Sequence, residues 1–269
     1  MLVNLFFYFL IFFMGTVFGS FLTLASYRIP LNQDITHKRS YCPNCNHRLE
    51  FLDLIPLWSY IFLGGKCRYC KKKISSRYFI IELLTGISFI ILAFALRLNI
   101  YNLNAINIIE FSLGVLYIVF LFLIGAIDKE HNMIDIRVLI YGIVISIINV
   151  IYQYYYAEAT LVSYNINRII LYLVAIIILN LVSMNTTNKN KQYVINVLIL
   201  LAIMSLFTQE ITTILTIIFA LIEIAMTFLI NKIVNKEKKL NRKIHVALYL
   251  VASNAILLIY AIYNFYIFF

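Results

Sequence analysis

The stretch LVNLFFYFLIFFMGTVFGSFLTLAS, Leu2 to Ser26, holds no Asp, Glu, Lys, Arg or His over 25 residues. As a helix it would be roughly 37 Å long, more than the hydrocarbon thickness of a bilayer. Seven further apolar runs follow, at 78–96, 109–127, 138–155, 169–184, 193–208, 211–230 and 246–269. The runs 169–184 and 193–208 are short for a full crossing and require tilt or local thinning of the bilayer. The 269 residues are 63% hydrophobic and only 13% charged, with mean hydropathy +0.91. A soluble domain of this size cannot hide so much apolar surface, which excludes that class. The expected fold is an all-α polytopic membrane protein of about eight transmembrane helices. The first run lacks a basic flank and a small-residue cleavage site, so it reads as a retained helix and not a secretory signal peptide.

Charge sets the expected orientation. Of 22 Lys and Arg residues, ten fall in 27–77, two follow Asp128, two lie in 185–192 and six in 231–245; only Arg97 and Arg168 occupy the alternate loops. This asymmetry predicts that the first set of loops is cytoplasmic and that both termini are outside. It also accounts for the net charge of +10 without nucleic acid as a partner. The run KEKKLNRK, Lys236 to Lys243, reads as resting on anionic membrane lipid. The chain accordingly divides into a first transmembrane helix (1–26), a cytoplasmic loop (27–77) and a transmembrane domain of about seven helices (78–269).

All four cysteines lie in that loop, as CPNC (Cys42, Cys45) and CRYC (Cys67, Cys70) with 21 residues between the pairs. Two C-x2-C turns can supply the four thiolates of a tetrahedral zinc site. A reducing cytoplasm disfavours the disulfide alternative, and the neighbouring Lys66, Arg68 and Lys71 to Lys73 favour ionised thiols. Four sulfurs close the coordination shell, so zinc would be structural; the competing reading is four unliganded thiols. His47 reads as a polar loop residue. His131 lies three residues after Asp128 and is near enough in sequence to tune it.

The order GSFLTLASYRIP (Gly19–Pro30), CPNC, DLIPLWSY (Asp53–Tyr60), CRYC and ISSRYFIIELLTG (Ile74–Gly86) resembles the N-terminal half of the prepilin peptidases, or type IV leader peptidases. The resemblance implies a polytopic aspartic endopeptidase. Such enzymes cut basic leaders from pilin-like precursors at the cytoplasmic face, and many then N-methylate the product with S-adenosylmethionine. Type IV pili and type II secretion are the settings it implies. It also implies two catalytic aspartates: one ending the third span, in a pattern like D-x6-P-[DN], and one in a G-x-G-D-x-K motif opening a later span. An ionised carboxylate accepts a proton from water while a protonated one donates to the carbonyl oxygen, so loss of either disables the pair.

Asp128, in LIGAIDKEHNMIDIR (Leu123–Arg137), matches the first aspartate by position, and Asp135 stands where the family has proline. Asp135 is either a shifted remnant of that pattern or a helix cap, and the cap is favoured. The second motif is not visible. Its expected loop reads SMNTTNKNKQY (Ser183–Tyr193), with Asn188 or Lys189 near the aspartate's place, Lys191 keeping the motif's lysine, and no glycine or acid. No aspartate follows Asp135; of the later acids, Glu223 alone falls inside a cytoplasm-reaching span, where it reads as a packing residue or a substitute acid. The family's glycine-rich last span is replaced by IHVALYLVASNA. The expected function is therefore a prepilin peptidase acting on pilin-like precursors through Asp128. The alternative is an inactive relative that binds pilin-like leaders or modulates an active one. A membrane zinc–thiolate scaffold unrelated to pilins is disfavoured by the ordered matches from Gly19 to Gly86.

Overall fold

The computed structural model describes residues 2–37, 39–156, 188–208, 210–234 and 245–265. Among these are eight α-helices and no β-strand. They are α1 (Leu2–Arg28), α2 (Trp58–Phe62), α3 (Ser76–Ala95), α4 (Ala105–His131), α5 (Ile136–Tyr156), α6 (Asn188–Thr208), α7 (Glu210–Val234) and α8 (Val246–Phe265). Six are long and apolar enough to cross a membrane. In α6 the apolar part is the shorter Gln192–Thr208. The expected run 169–184 lies outside the described residues.

Two compact units divide the chain, Met1–Leu123 and Ile124–Phe269. In the first, α1 packs along α3. The approach is close because α1 carries Gly15 and Gly19 four residues apart, a G-x-x-x-G pattern, with Gly15 facing Gly86 of α3 and Gly19 facing Thr85 and Glu82. A Cβ at Gly15 would come within 2.8 Å of Gly86 Cα, and one at Gly19 within 2.7 Å of Glu82 Cα. In the second unit α8 lies against α7 and α6, and α5 against α6.

The helices extend past their apolar runs. The third run is expected to end at residue 127, yet α4 continues to His131, because Lys129 and Glu130 are good helix formers. Asn132, at φ 50°, then closes it in the left-handed conformation that asparagine tolerates at such ends. Asp128 therefore lies inside the helix and not in the loop after it. Two-thirds of the apolar window of α4 is buried, more than in any other span among the described residues. Asp135 opens α5 as its cap: the Arg137 backbone N–H donates to Asp135 Oδ1 at 2.9 Å, and the Leu139 N–H donates to the Asp135 carbonyl.

Candidate active site and metal centre

Asp128 has no solvent-exposed surface. Its Oδ1 accepts a hydrogen bond from the Tyr193 hydroxyl at 3.0 Å, and its Oδ2 accepts one from the Leu248 backbone N–H at 3.0 Å. Leu248 belongs to the first turn of α8, whose N–H groups lack partners within the helix and favour an anion. The Tyr193 oxygen accepts the Ala247 N–H at 3.3 Å, so phenol and carboxylate dock together on that helix end. His245 closes the cluster: its Nδ1 is 2.7 Å from the Asp128 carbonyl oxygen and 4.0 Å from Oδ1. A carbonyl only accepts, so Nδ1 carries the proton here. Gly125, three residues earlier on α4, keeps the approach open, since a Cβ there would come 2.8 Å from Val251.

Further bonds secure the surroundings. The Asn196 side chain of α6 donates to the Ile134 carbonyl at 2.8 Å, tying the turn after α4 to the helix that carries Tyr193. Deeper in this unit, Asn254 of α8 donates to Thr216 Oγ1 of α7 at 3.0 Å.

No second carboxyl group reaches Asp128 among the described residues. Glu223 is half-buried on α7 and makes no hydrogen bond or ion pair with any of them. Glu237 lies outside the described residues, as do 183–187 of the expected second-motif loop. His131, the sequence's nearest rival, lies 3.7 Å from Glu130, while the distant His245 is the imidazole at Asp128. Tyr193 and His245 are the residues that sequence reasoning passed over. The only signal for them was position: Tyr193 ends SMNTTNKNKQY and opens the run 193–208, while His245, in IHVALYLVASNA, stands just before the run 246–269.

In the other unit, Cys42, Cys45, Cys67 and Cys70 converge, with all four sulfurs within 4.8 Å of one another. A zinc–thiolate tetrahedron with bonds of about 2.3 Å requires sulfurs about 3.8 Å apart. Cys42 and Cys70 stand at 3.9 Å, so the donor set and spacing fit. The loop builds this with one turn used twice. The Cys42 N–H donates to the His47 carbonyl and the Asn46 N–H to the Cys42 carbonyl; the Cys67 N–H donates to the Lys72 carbonyl and the Lys71 N–H to the Cys67 carbonyl. Asn46 and Lys71, each just after the second cysteine of its pair, share a left-handed backbone at φ 55° and 59°. Single bridges Tyr41–Arg48 and Lys66–Lys73 close the two turns. The Cys70 N–H aimed at the Cys67 sulfur brings that thiol down to about 7. His47 is exposed, lies tilted against the Tyr69 ring with centroids 3.5 Å apart, and is not part of the cluster.

Glu82 of α3 links this loop to the helices. Its Oε2 accepts the Leu57 N–H at 2.8 Å, in the interior. Leu57 has φ 62° and ψ −51°, and the Trp58 N–H donates to the Pro56 carbonyl: a tight γ-turn, rare for a branched side chain.

Comparison with known proteins matches residues 13–96 to the bacterial peptidase A24 N-terminal domain. The chain is 47% identical over 79 residues to a prepilin leader peptidase/N-methyltransferase of Myxococcus xanthus, covering 29% of this chain and 24% of that protein. It is 38% identical over 126 residues to the protein of the same name in Vibrio cholerae, covering 44% and 46%. The Bacillus subtilis protein is 34% identical over 132 residues, covering 49% and 50%. The chain thus spans from a quarter to about half the length of these relatives. No solved structure matches it. Together the domain and the relatives support the prepilin peptidase family, the one that the sequence resembles.

Proposed function

We propose that this chain is a membrane endopeptidase of the prepilin leader type, cleaving pilin-like precursors, with Asp128 as its catalytic carboxylate. The observation that carries this reading is the meeting of Asp128 with Tyr193 at 3.0 Å. The segment where the family resemblance places the second acid delivers its last residue, a phenol, onto the first.

Each carboxylate oxygen has two acceptor positions, so the bonds from Tyr193 and Leu248 leave acceptor capacity on Asp128 for a water that enters with the substrate. Asp128 takes a proton from that water as its oxygen adds to the scissile carbonyl carbon. Tyr193 turns its hydroxyl to the carbonyl oxygen, where charge develops, and supplies the hydrogen bond that a second carboxylic acid would give. Collapse of the adduct breaks the C–N bond, and the proton held by Asp128 passes to the leaving amine. The four cysteines hold a structural zinc ion. Zinc when bound supplies cross-linking of the two turns and no activated water, because four thiolates fill its shell. N-methylation with S-adenosylmethionine is part of this proposal through the names of the relatives. So are a cytoplasmic cysteine loop, termini on the outer side, and the division into a first helix, that loop and a membrane domain. The inactive alternative is not favoured by the relatives.

The test is cleavage of a pilin-like precursor by membranes containing the native chain, Asp128→Asn or Tyr193→Phe. Asp128→Asn is expected to lose nearly all activity and Tyr193→Phe about 100-fold. Gel filtration in detergent checks that both variants keep the native profile. A native chain that leaves intact a precursor cut by a control relative would sink the proposal.

A further inference from the structure

We infer that the segment Phe51–Phe62 lies in the membrane interface on the cysteine-loop side, as an anchor seated among the headgroups of anionic lipid. The inference is independent of the peptidase reading and rests only on the multi-pass membrane architecture.

Three observations carry it. The first is exposed apolar surface. Phe51 is 81% exposed and Phe62 79%, with Leu52, Leu54, Trp58 and Ile61 between 41% and 57%. Trp58, Ile61 and Phe62 stand at i, i+3 and i+4 on α2 and so share one face, and the Trp58 and Phe62 rings stack at 5.8 Å. The short 3₁₀ turn Phe51–Asp53 packs against α2, making the patch continuous. In water such a surface would be a liability for the folded chain.

The second observation is depth. Glu82, which holds the Leu57 N–H, is six residues inside α3, about 9 Å along the helix from its start. Tyr60 meets Phe79 of α3 at 5.3 Å between ring centroids. The apolar run of α3 begins at Tyr78, so the loop folds back beside its helix to the level where hydrocarbon begins. Seating Leu57 in a γ-turn at positive φ is the conformational cost of reaching that level.

The third is charge. Lys66, Arg68, Lys71, Lys72 and Lys73 follow α2 and are all exposed. Asp53, the one acid within 51–73, is taken by Arg68 at 2.7 Å and Tyr69 at 3.1 Å, and its side chain is only 3% exposed. Within 51–73 the segment therefore presents apolar rings and five exposed cations with no free carboxylate, and the one exposed acid beside it, Glu50, caps its first turn. That is the pattern of an interfacial segment on anionic lipid, with Trp at headgroup level. A basic leader peptide would be repelled by the same face.

Trp58 is the only tryptophan in the chain, so the fluorescence of the full-length protein reads this site directly. The protein is reconstituted in phosphatidylcholine vesicles with and without phosphatidylglycerol. Lipids brominated either near the headgroup or near the chain end then replace part of the phosphatidylcholine. Bromine near the headgroup is expected to remove about half of the emission, bromine at the chain end far less, and acrylamide to quench several-fold more weakly than it quenches free tryptophan. Replacing Lys71, Lys72 and Lys73 by Glu should reduce lipid quenching when phosphatidylglycerol is present and leave it unchanged without. Emission indifferent to brominated lipid overturns the inference in either form: accessible to acrylamide, the segment faces water; protected, it is covered by protein. Quenching that the lysine replacements leave unchanged in both lipids overturns the role assigned to anionic headgroups.

Discussion

Asp135 shows what a carboxylate does when its partners are local. Arg137 donates to it from the backbone at 2.9 Å and through its guanidinium at 2.9 and 2.7 Å, so cap and ion pair converge on one side chain. Burial works against the charge, yet these bonds win and hold the Asp135 carboxyl below its ordinary range. A depressed carboxyl stabilises the fold at pH values above its unfolded pKa of about 3.9, and that contribution is lost as pH falls through the folded value. Asp135→Ala should therefore cost about 1 kcal/mol near neutrality and progressively less in acid. Thermal unfolding in detergent at two pH values measures it, and an equal loss at both would contradict the account. This role was readable because N-cap chemistry acts over two residues. Asp128 is the opposite case. Its partners stand 65 and 120 residues away, and they are a phenol and a backbone N–H, neither of which an acid-seeking search of the sequence weighs.

Helix packing in the first unit depends on side chains that are missing. Gly19 on α1 leaves room for Thr85 and Glu82, and a Cβ there would overlap Thr85 Oγ1 and approach Glu82 Cα to 2.7 Å. The obstruction at Glu82 is backbone and cannot swing aside. Gly19→Val should therefore push α1 away from α3 and destabilise this pair by about 1–3 kcal/mol. Disulfide trapping between cysteines placed on the two helices reads the change, and unaltered trapping with unaltered thermal stability would show that the gap is not needed. The G-x-x-x-G spacing was present in the sequence, but a glycine pattern alone does not say which helix it faces. Boundaries were legible to within a few residues where Ser75 caps α3, and less so where Lys129 and Glu130 carry α4 past its apolar run. Hydropathy marks what the bilayer requires; helix propensity decides where the hydrogen-bond ladder stops.

Across the whole molecule the first third was the most readable part, and the reason is physical. Four cysteines in two C-x2-C pairs admit few arrangements, and the ordered stretches around them match the A24 N-terminal domain over 13–96. Beyond residue 130 the chain keeps apolar length with little punctuation, and apolar length specifies a span without specifying its neighbour. The same contrast predicts how the molecule responds to loss of metal. In α1 and α3 the backbone bonds close within each helix, and their packing rests on glycine contacts that no metal touches. Apart from its sulfurs the cysteine loop is held by short turns, two single bridges, the contacts of Asp53 with Arg68 and Tyr69, and the Glu82–Leu57 and Tyr60–Phe79 contacts with α3. A strong chelator should thus open the loop while leaving helix content nearly unchanged: far-UV circular dichroism loses at most about a tenth of its signal. Cleavage by trypsin at Lys66 to Lys73, slow with metal bound, becomes fast, and added zinc restores the slow rate. Cysteines replaced by serine should give the opened loop without chelator. If proteolysis is equally fast before and after chelation in a protein shown by metal analysis to carry zinc, the turns and the Glu82 bond hold the loop by themselves and the metal is not its fastener.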